Sequence, residues 1–319
     1  MKAILVTKHG GPDVLEYTGV ADPVPAEGQL LVDVDCVGVN YIDTYFRSGT
    51  YPSKPPYIPG TEGCGRVVDD PRGEIAPGTL VAWHNAPGSY AEKVVVDRNR
   101  LVAVPEGVEP EVAASMLLQG MTAHYLLHGV RETTAGDTMV VTAGAGGVGL
   151  ILTQMAAALE TTVYSVVSSD EKEQLAYEAG ATKVFHYGDS LASDIIAENG
   201  GTGVDVIYDG VGKDTFDFAL NVTRPRGLVC SFGSASGDVE PFKIQELNKH
   251  GSLFLTRPSL THYVADNDEF LMRAQAVARA VDDGTVKMRI HPPYKLENAR
   301  QAHEDLQARK TTGSVVLKV

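Results

Sequence analysis

Thr138-Met139-Val140-Val141-Thr142-Ala143-Gly144-Ala145-Gly146-Gly147-Val148-Gly149 is the stretch that decides the fold. An apolar, β-branched run enters Gly-x-Gly-x-x-Gly, and Gly147 to Leu159 then reads as a helix. The three glycines have separate tasks: the first makes the tight turn, the second lets backbone approach a pyrophosphate, and the third lets helix pack on strand. The helix N-terminus adds unpaired N–H groups and partial positive charge. Gly144, Ala145, Gly146, Gly147, Val148 and Gly149 are therefore candidate contacts for a dinucleotide pyrophosphate. A glycine turn without a ligand is the bland alternative, and its position between strand and helix weighs against that.

Downstream of this turn, strands and helices alternate. Thr162–Val167, Lys183–His186, Val204–Tyr208, Leu228–Phe232 and Leu253–Thr256 read as strands. Asp170–Ala179, Ser190–Asn199 and Lys213–Asn221 read as helices. That order predicts a Rossmann-type, doubly wound parallel sheet. Upstream the texture is short strands between Gly-, Pro- and Asp-rich breaks: Ala3–Thr7, Gln29–Gly38, Gly63–Val68, Thr79–Trp83 and Tyr90–Val96. This is an all-β, barrel-like pattern. The fold class is α/β with an added β-barrel domain. Residues 1–118 are assigned to the substrate domain, 119–260 to the cofactor domain, and 261–319 to a tail returning to the first. The tail reads as helices over Asp268–Val281 and Glu297–Gln307 and a final strand over Ser314–Val319.

The bulk numbers agree with two ordinary domains. The chain has 319 residues, 43% of them hydrophobic and 21% charged. A net charge of −14 opposes binding to nucleic acid or anionic membrane. No apolar run approaches the roughly 20 residues of a membrane span. Cys36, Cys64 and Cys230 are far apart in sequence and share no metal-type spacing, which fits reduced thiols in a cytoplasm.

The end of the second parallel strand discriminates NAD from NADP. NAD readers place an acid there for the ribose 2′-OH. Here Ser168 stands at that place and Lys172 follows four residues later, a hydroxyl and an ammonium that suit a 2′-phosphate. NADP(H) is the expected cofactor. Asp170 and Glu171 keep NAD open, although acids in a first helical turn also arise from the helix dipole.

Further segments extend the pattern. They include Lys8-His9-Gly10-Gly11-Pro12, Gly38-Val39-Asn40-Tyr41-Ile42-Asp43-Thr44-Tyr45, Arg47-Ser48-Gly49 and Pro59-Gly60-Thr61-Glu62-Gly63. Tyr208-Asp209-Gly210-Val211-Gly212, Ser231-Phe232-Gly233 and Thr256-Arg257-Pro258-Ser259-Leu260 complete them. Through these and the glycine turn, the chain resembles, nearly end to end, the zinc-free quinone oxidoreductases. That is the zeta-crystallin-like branch of the medium-chain dehydrogenase/reductases. The resemblance implies a GroES-like N-terminal domain, NADPH as cofactor, a quinone substrate and a homodimer paired through the Rossmann sheet edge. One departure is visible: Arg66–Val81 is shorter than usual in this family, which alters a rim loop.

The metal-dependent cousins carry a Cys in the first catalytic loop and a His in Gly-His-Glu. This chain has Asn40 and Thr61 there, which do not replace thiolate and imidazole as zinc ligands. No metal is expected. His124 and His128 have i, i+4 spacing, but Tyr125 follows His124 where His-Glu-x-x-His needs Glu, so packed or solvated histidines are the expectation.

The resemblance also implies roles one by one. Asn40, Asp43, Tyr45 and Tyr51, with Arg47 between them, form a loop beside the nicotinamide. Asn40 and Tyr45 would orient nicotinamide and substrate, while Tyr51 and Arg257 would line the quinone pocket. Asp43 as a turn residue, packed tyrosines and Arg257 as a cap are the structural alternatives. Thr122 would open the linking helix near the nicotinamide phosphate. Tyr187 would touch the adenosine, and Val211, Phe232, Gly233 and Ser234 the ribose and nicotinamide. Arg309 would be a phosphate-side contact from the tail. Reduction of an activated C=C bond in an enone or acyl-CoA is an alternative activity. A crystallin-like or RNA-binding protein with little turnover is a third reading, opposed by the short, aromatic-free basic clusters Arg98-Asn99-Arg100 and Arg224-Pro225-Arg226.

Overall fold

A computed structural model describes residues 1–319. Chain contacts divide it into two compact units, Met1–Met121 with Val264–Val319, and Thr122–Tyr263. No helix is long and apolar enough to cross a membrane.

The first unit opens with β1 (Lys2–Val6) and β2 (Leu15–Gly19), which pair antiparallel. β3 (Gln29–Val39) alternates buried and less buried positions until its last residues, which are buried on both faces. It runs into α1 (Tyr41–Ser48), followed by β4 (Glu62–Asp69), β5 (Leu80–His84), β6 (Lys93–Asp97) and β7 (Leu101–Ala103). Short α2 (Pro110–Ala113) and α3 (Met116–Tyr125) lead out of this segment.

The second unit is built from β8 (Thr138–Val141), α4 (Gly147–Ala158), β9 (Thr162–Val167), α5 (Asp170–Glu178) and β10 (Lys183–His186). It continues through α6 (Leu191–Glu198), β11 (Val204–Asp209), α7 (Phe216–Val222) and β12 (Thr223–Ser231). α8 (Gln245–Lys249), β13 (Phe254–Thr256) and α9 (Leu260–Tyr263) close it. The strands form one six-stranded parallel sheet in the order β10-β9-β8-β11-β12-β13. This is the doubly wound order with the first strand, β8, at the topological switch point. β8 and β9 are almost wholly buried, as strands covered by helices on both faces must be.

The tail supplies α10 (Asn267–Asp282), β14 (Tyr294–Lys295), α11 (Ala299–Gln307) and β15 (Val315–Lys318) to the first unit. Asp266 caps α10 through the N–H groups of Asp268 and Glu269. β15 lies antiparallel to β3, with Val315 opposite Val39, and completes a seven-stranded sheet. Trp83, the only tryptophan, is fully buried in this sheet's core and donates from Nε1 to Ser89 Oγ at 3.0 Å.

Two expectations need correction. The segment after Asn40 is not a loop: it is the helix α1. The all-β reading of the N-terminal region missed it because its apolar residues, Tyr41, Ile42, Tyr45 and Phe46, are aromatic or β-branched and carry weak helix preference. Thr122 does not open a helix but lies inside α3. Cys36 and Cys64, far apart in sequence, face each other across β3 and β4 as free, buried thiols. Burial pushes the Cys36 thiol up to about 12, so it is inert at neutral pH.

Asp209, at the exit of β11, is 1% exposed and collects four donors. They are Thr142 Oγ1 (2.7 Å), Thr215 Oγ1 (2.8 Å), Val211 N (3.2 Å) and Gly212 N (3.0 Å). Thr142 Oγ1 in turn accepts from Gly210 N at 3.0 Å, so the exits of β8 and β11 are laced together. Asp209→Ala leaves several buried donors unanswered. It should destabilise the protein by about 3 kcal/mol, read as a lower melting temperature in calorimetry.

Candidate active site

In the second unit, the turn after β8 is shaped by close packing. A Cβ on Gly144 would lie 1.8 Å from Ser165 Oγ, and one on Gly149 2.5 Å from the Ala143 carbonyl. These two glycines are demanded by the protein itself. Gly146 is different: its added Cβ would meet only the Ala143 carbonyl, at 3.2 Å. It is half-buried and stands as the N-cap of α4. Ala143 takes a left-handed φ of 51°, and its N–H donates to Tyr187 Oη at 2.9 Å. Tyr187 thus pins the strained entry to the turn. Ala145 and Gly149 are buried, and Gly147 and Val148 are half-buried at the start of α4.

At the end of β9, Ser168 is exposed and accepts from Lys172 Nζ at 3.3 Å. The hydroxyl and the ammonium expected for a 2′-phosphate do stand together. Beside them, Glu173 and Asp170 turn toward His186, whose Nε2 lies 3.0 and 3.9 Å from their carboxylates. Val211 is buried, Phe232 and Gly233 are half-buried, and Ser234 is buried, all just past the carboxyl ends of β11 and β12. Arg257 NH1 donates to the Phe232 carbonyl (2.8 Å) and the Pro258 carbonyl (3.1 Å). It ties the exit of β13 to that of β12, which is the cap reading of this residue. His124 and His128 rings lie 4.7 Å apart at the end of α3.

In the first unit, Asn40 ends β3 and precedes α1. Its backbone N–H donates to Asp43 Oδ2 at 2.8 Å, half of a capping box. Its side chain is held on both sides: Nδ2 donates to Glu62 Oε1 at 2.5 Å, and Oδ1 accepts from Gln119 Nε2 at 3.2 Å. Glu62 Oε2 accepts from Leu118 N at 2.9 Å, and Gln119 Oε1 accepts from Ser314 Oγ at 2.6 Å. Burial without a facing cation pushes the Glu62 carboxyl up to about 8.

Asp43 is 2% exposed, and burial pushes its carboxyl up to about 6. The same Oδ2 accepts from Tyr90 Oη at 3.0 Å. The carboxylate is turned inward as a helix cap, which is the turn-residue alternative for Asp43. Arg47 is also buried, donating to the Gly10 carbonyl, Gln307 Oε1 and His303 Nδ1. A guanidinium only donates, so Nδ1 is the acceptor and Nε2 carries the proton. That proton goes to Tyr90 Oη at 3.2 Å, and Tyr90 donates to Asp43. A one-way relay thus joins Arg47 to Asp43 through two neutral side chains.

Tyr45 and Tyr51 remain as the half-buried ligand-type side chains of this region. Their rings are 5.1 Å apart, Tyr41 meets Tyr45 edge-on at 5.5 Å, and Phe46 meets Tyr51 edge-on at 5.8 Å. Thr122 is buried within α3, and Arg309 is exposed in the turn before β15 with a left-handed φ of 59°. Sequence reading missed Glu62, Gln119, Ser314, Tyr90 and His303 as supports. Glu62 alone left a signal, a charge set among the glycines of Pro59-Gly60-Thr61-Glu62-Gly63.

Comparison with known proteins follows the same division. The alcohol dehydrogenase GroES-like domain matches residues 26–106, and the zinc-binding dehydrogenase domain matches 147–269. A solved mycobacterial structure, complexed with NADPH, is 45% identical with a TM-score of 0.97, each chain covered to 100%. A quinone oxidoreductase of Pseudomonas aeruginosa is 38% identical over 99% of both chains. A 2-haloacrylate reductase of a Burkholderia species is 34% identical over 99% of this chain and 98% of its own. The chain belongs to the zinc-free quinone oxidoreductase branch of the medium-chain dehydrogenase/reductases, an oxidoreductase family.

The relay gives a pH expectation. Burial and the Arg47 charge push the His303 imidazole down to about 3. A lowered imidazole value means that its stabilising share is whole above about pH 6.5 and is lost as pH falls toward 3. His303→Ala strands Arg47 and Tyr90 and should cost about 3 kcal/mol, with a shallower loss of stability in acid. Urea melts followed by the fluorescence of the single Trp83 measure both.

Proposed function

We propose that the protein reduces quinones with NADPH and without a metal ion. The observation that carries this reading is the turn Gly144–Gly149, where packing consumes two glycines and the half-buried Gly146 caps the N-terminus of α4, the place a pyrophosphate would take. NADPH, when bound, supplies the hydride. The N-terminus of α4 and the Gly146 backbone would hold the pyrophosphate, and Ser168 and Lys172 the 2′-phosphate. Tyr187 would act by fixing the turn, with Val211, Phe232, Gly233 and Ser234 lining the ribose and nicotinamide side. Thr122 and Arg309 are assigned to the phosphates.

In the first unit, Tyr45 and Tyr51, their rings tilted 45° to each other, offer aromatic faces against which a planar quinone could pack. Asn40 would orient nicotinamide or substrate with the N–H that Glu62 does not use. A zinc ion does not fit these residues. Asn40 spends its amide on Glu62 and Gln119, and Thr61 replaces an imidazole. The one cluster with ligand-type spacing, Asp170, Glu173 and His186, lies in the second unit on the surface.

Enone reduction is the second reading, favoured by the 2-haloacrylate reductase relative. A homodimer is part of the proposal: β13 is the open edge of the parallel sheet, and Phe254 on it is 65% exposed. So is a cytoplasmic setting, which suits three buried free thiols.

The deciding experiment is turnover of NADPH and NADH against a panel of quinones and enones, with and without a chelator. Quinone turnover that the chelator leaves untouched is the expected result, and fast enone reduction with none of quinones would reverse the two readings. Lys172→Glu should cut the NADPH over NADH preference by roughly tenfold or more, seen in the ratio of kcat/KM values. Phe254→Lys should shift the protein from dimer to monomer in analytical ultracentrifugation.

A further inference from the structure

Asn40 and three side chains around it form a single chain of hydrogen bonds, and the chain has a direction. Glu62, Asn40, Gln119 and Ser314 are 1, 5, 6 and 1% exposed, so no bulk water can substitute for a lost partner. An ionised Glu62 carboxylate only accepts. Asn40 must then turn its NH2 toward Glu62 and its carbonyl toward Gln119. Gln119 must turn its NH2 toward Asn40 and its carbonyl toward Ser314, and Ser314 must donate. That is the arrangement observed.

A protonated Glu62 can instead donate. A half-turn of a primary amide exchanges its nitrogen and oxygen at nearly fixed positions. Turning both amides reverses every link. Glu62 Oε1–H then donates to Asn40 Oδ1, Asn40 Nδ2 to Gln119 Oε1, and Gln119 Nε2 to Ser314 Oγ. No contact is lost, and the Leu118 N–H keeps Glu62 Oε2 as its acceptor in both states. The two arrangements differ by one proton and by no buried hydrogen bond.

We propose that Glu62 is a positioning residue for Asn40, its protonation setting whether the amide offers a donor or an acceptor at the place a ligand oxygen would meet it. This rests on the reading of Asn40 as a side chain that orients nicotinamide or substrate. An amide has two N–H groups and two acceptor sites, and the chain uses one of each in either state. The spare N–H and the spare lone pair therefore trade places on reversal. A quinone or carboxamide oxygen needs the N–H.

The surrounding charges put this switch within reach of ordinary pH. Asp43 on α1 adds to the burial that holds the Glu62 carboxyl up at about 8. His84, opposite Glu62 on β5, is pushed down to about 4 by burial, with Arg100 adding to the effect. Tyr90, before β6, is pushed well above its ordinary value by burial and the Asp43 charge. Both stay neutral while Glu62 titrates. α3 brings only the Leu118 N–H and the neutral Gln119. Burial also pushes the Asp43 carboxyl up, to about 6, below that of Glu62.

The test follows one pH series through two readouts. In the first, kcat and KM with NADPH and a quinone are measured for the wild type and Glu62→Gln. In the second, the side-chain amide resonances of Asn40 are followed in cofactor-free protein labelled with 15N-asparagine. The wild type should show an inflection near pH 8 in both, with kcat changing about tenfold and KM changing less. Glu62→Gln, which cannot titrate, should be flat in both. A wild type flat across this range, or Glu62→Gln keeping the inflection, overturns the proposal. Should Glu62→Gln fail to fold, the wild-type Asn40 titration decides alone: a resonance that does not move ends the idea. A moving resonance in a protein that turns over no quinone at any pH supports the role of Glu62 and sinks the quinone reading instead.

Discussion

A buried carboxylate has to have its lone pairs answered, and this constraint shapes both units at the places where strands end. Asp209 collects four donors where β8 and β11 run out. Asp43 and Glu62 do the same where β3 gives way to α1. In each case the acid is turned inward, where it fixes backbone or a side-chain amide. The cost of burying charge is offset by hydrogen bonds that exist only in one geometry, so the same bonds that stabilise also specify position.

The first unit carries this further. Two acids are buried close together, and the only nearby permanent cation, Arg47, reaches Asp43 through neutral His303 and Tyr90. The relay brings in α11, and Ser314 brings in the segment before β15. The tail is thus bonded to the side chains around Asn40 as well as to the edge of the sheet. Arg47 and His303, 256 residues apart in the chain, meet there.

The second unit separates two uses of glycine. Gly144 and Gly149 are there because Ser165 and the Ala143 carbonyl leave no room for a Cβ. Gly146 is pressed less, its added Cβ meeting only the Ala143 carbonyl, and the Tyr187 hydroxyl accepts from the Ala143 N–H at the entry to the same turn. Family membership rests on full-length similarity.

The sequence by itself determined the parallel sheet, since alternation of β-branched runs with helical periods is local, and every strand from Thr138 to Thr256 was legible in it. It also placed the cofactor turn and set Ser168 beside Lys172, because both depend on spacing within one βα unit. It did not determine α1, whose tyrosine-rich turns obey their cap and their packing more than any propensity. Nor could it show which way Asp43, Arg47 and Arg257 point. Only the tertiary structure decided that, because the partners that claim them (Tyr90, His303 and the Phe232 carbonyl) lie far away in the chain, and a polar side chain goes wherever its burial can be compensated.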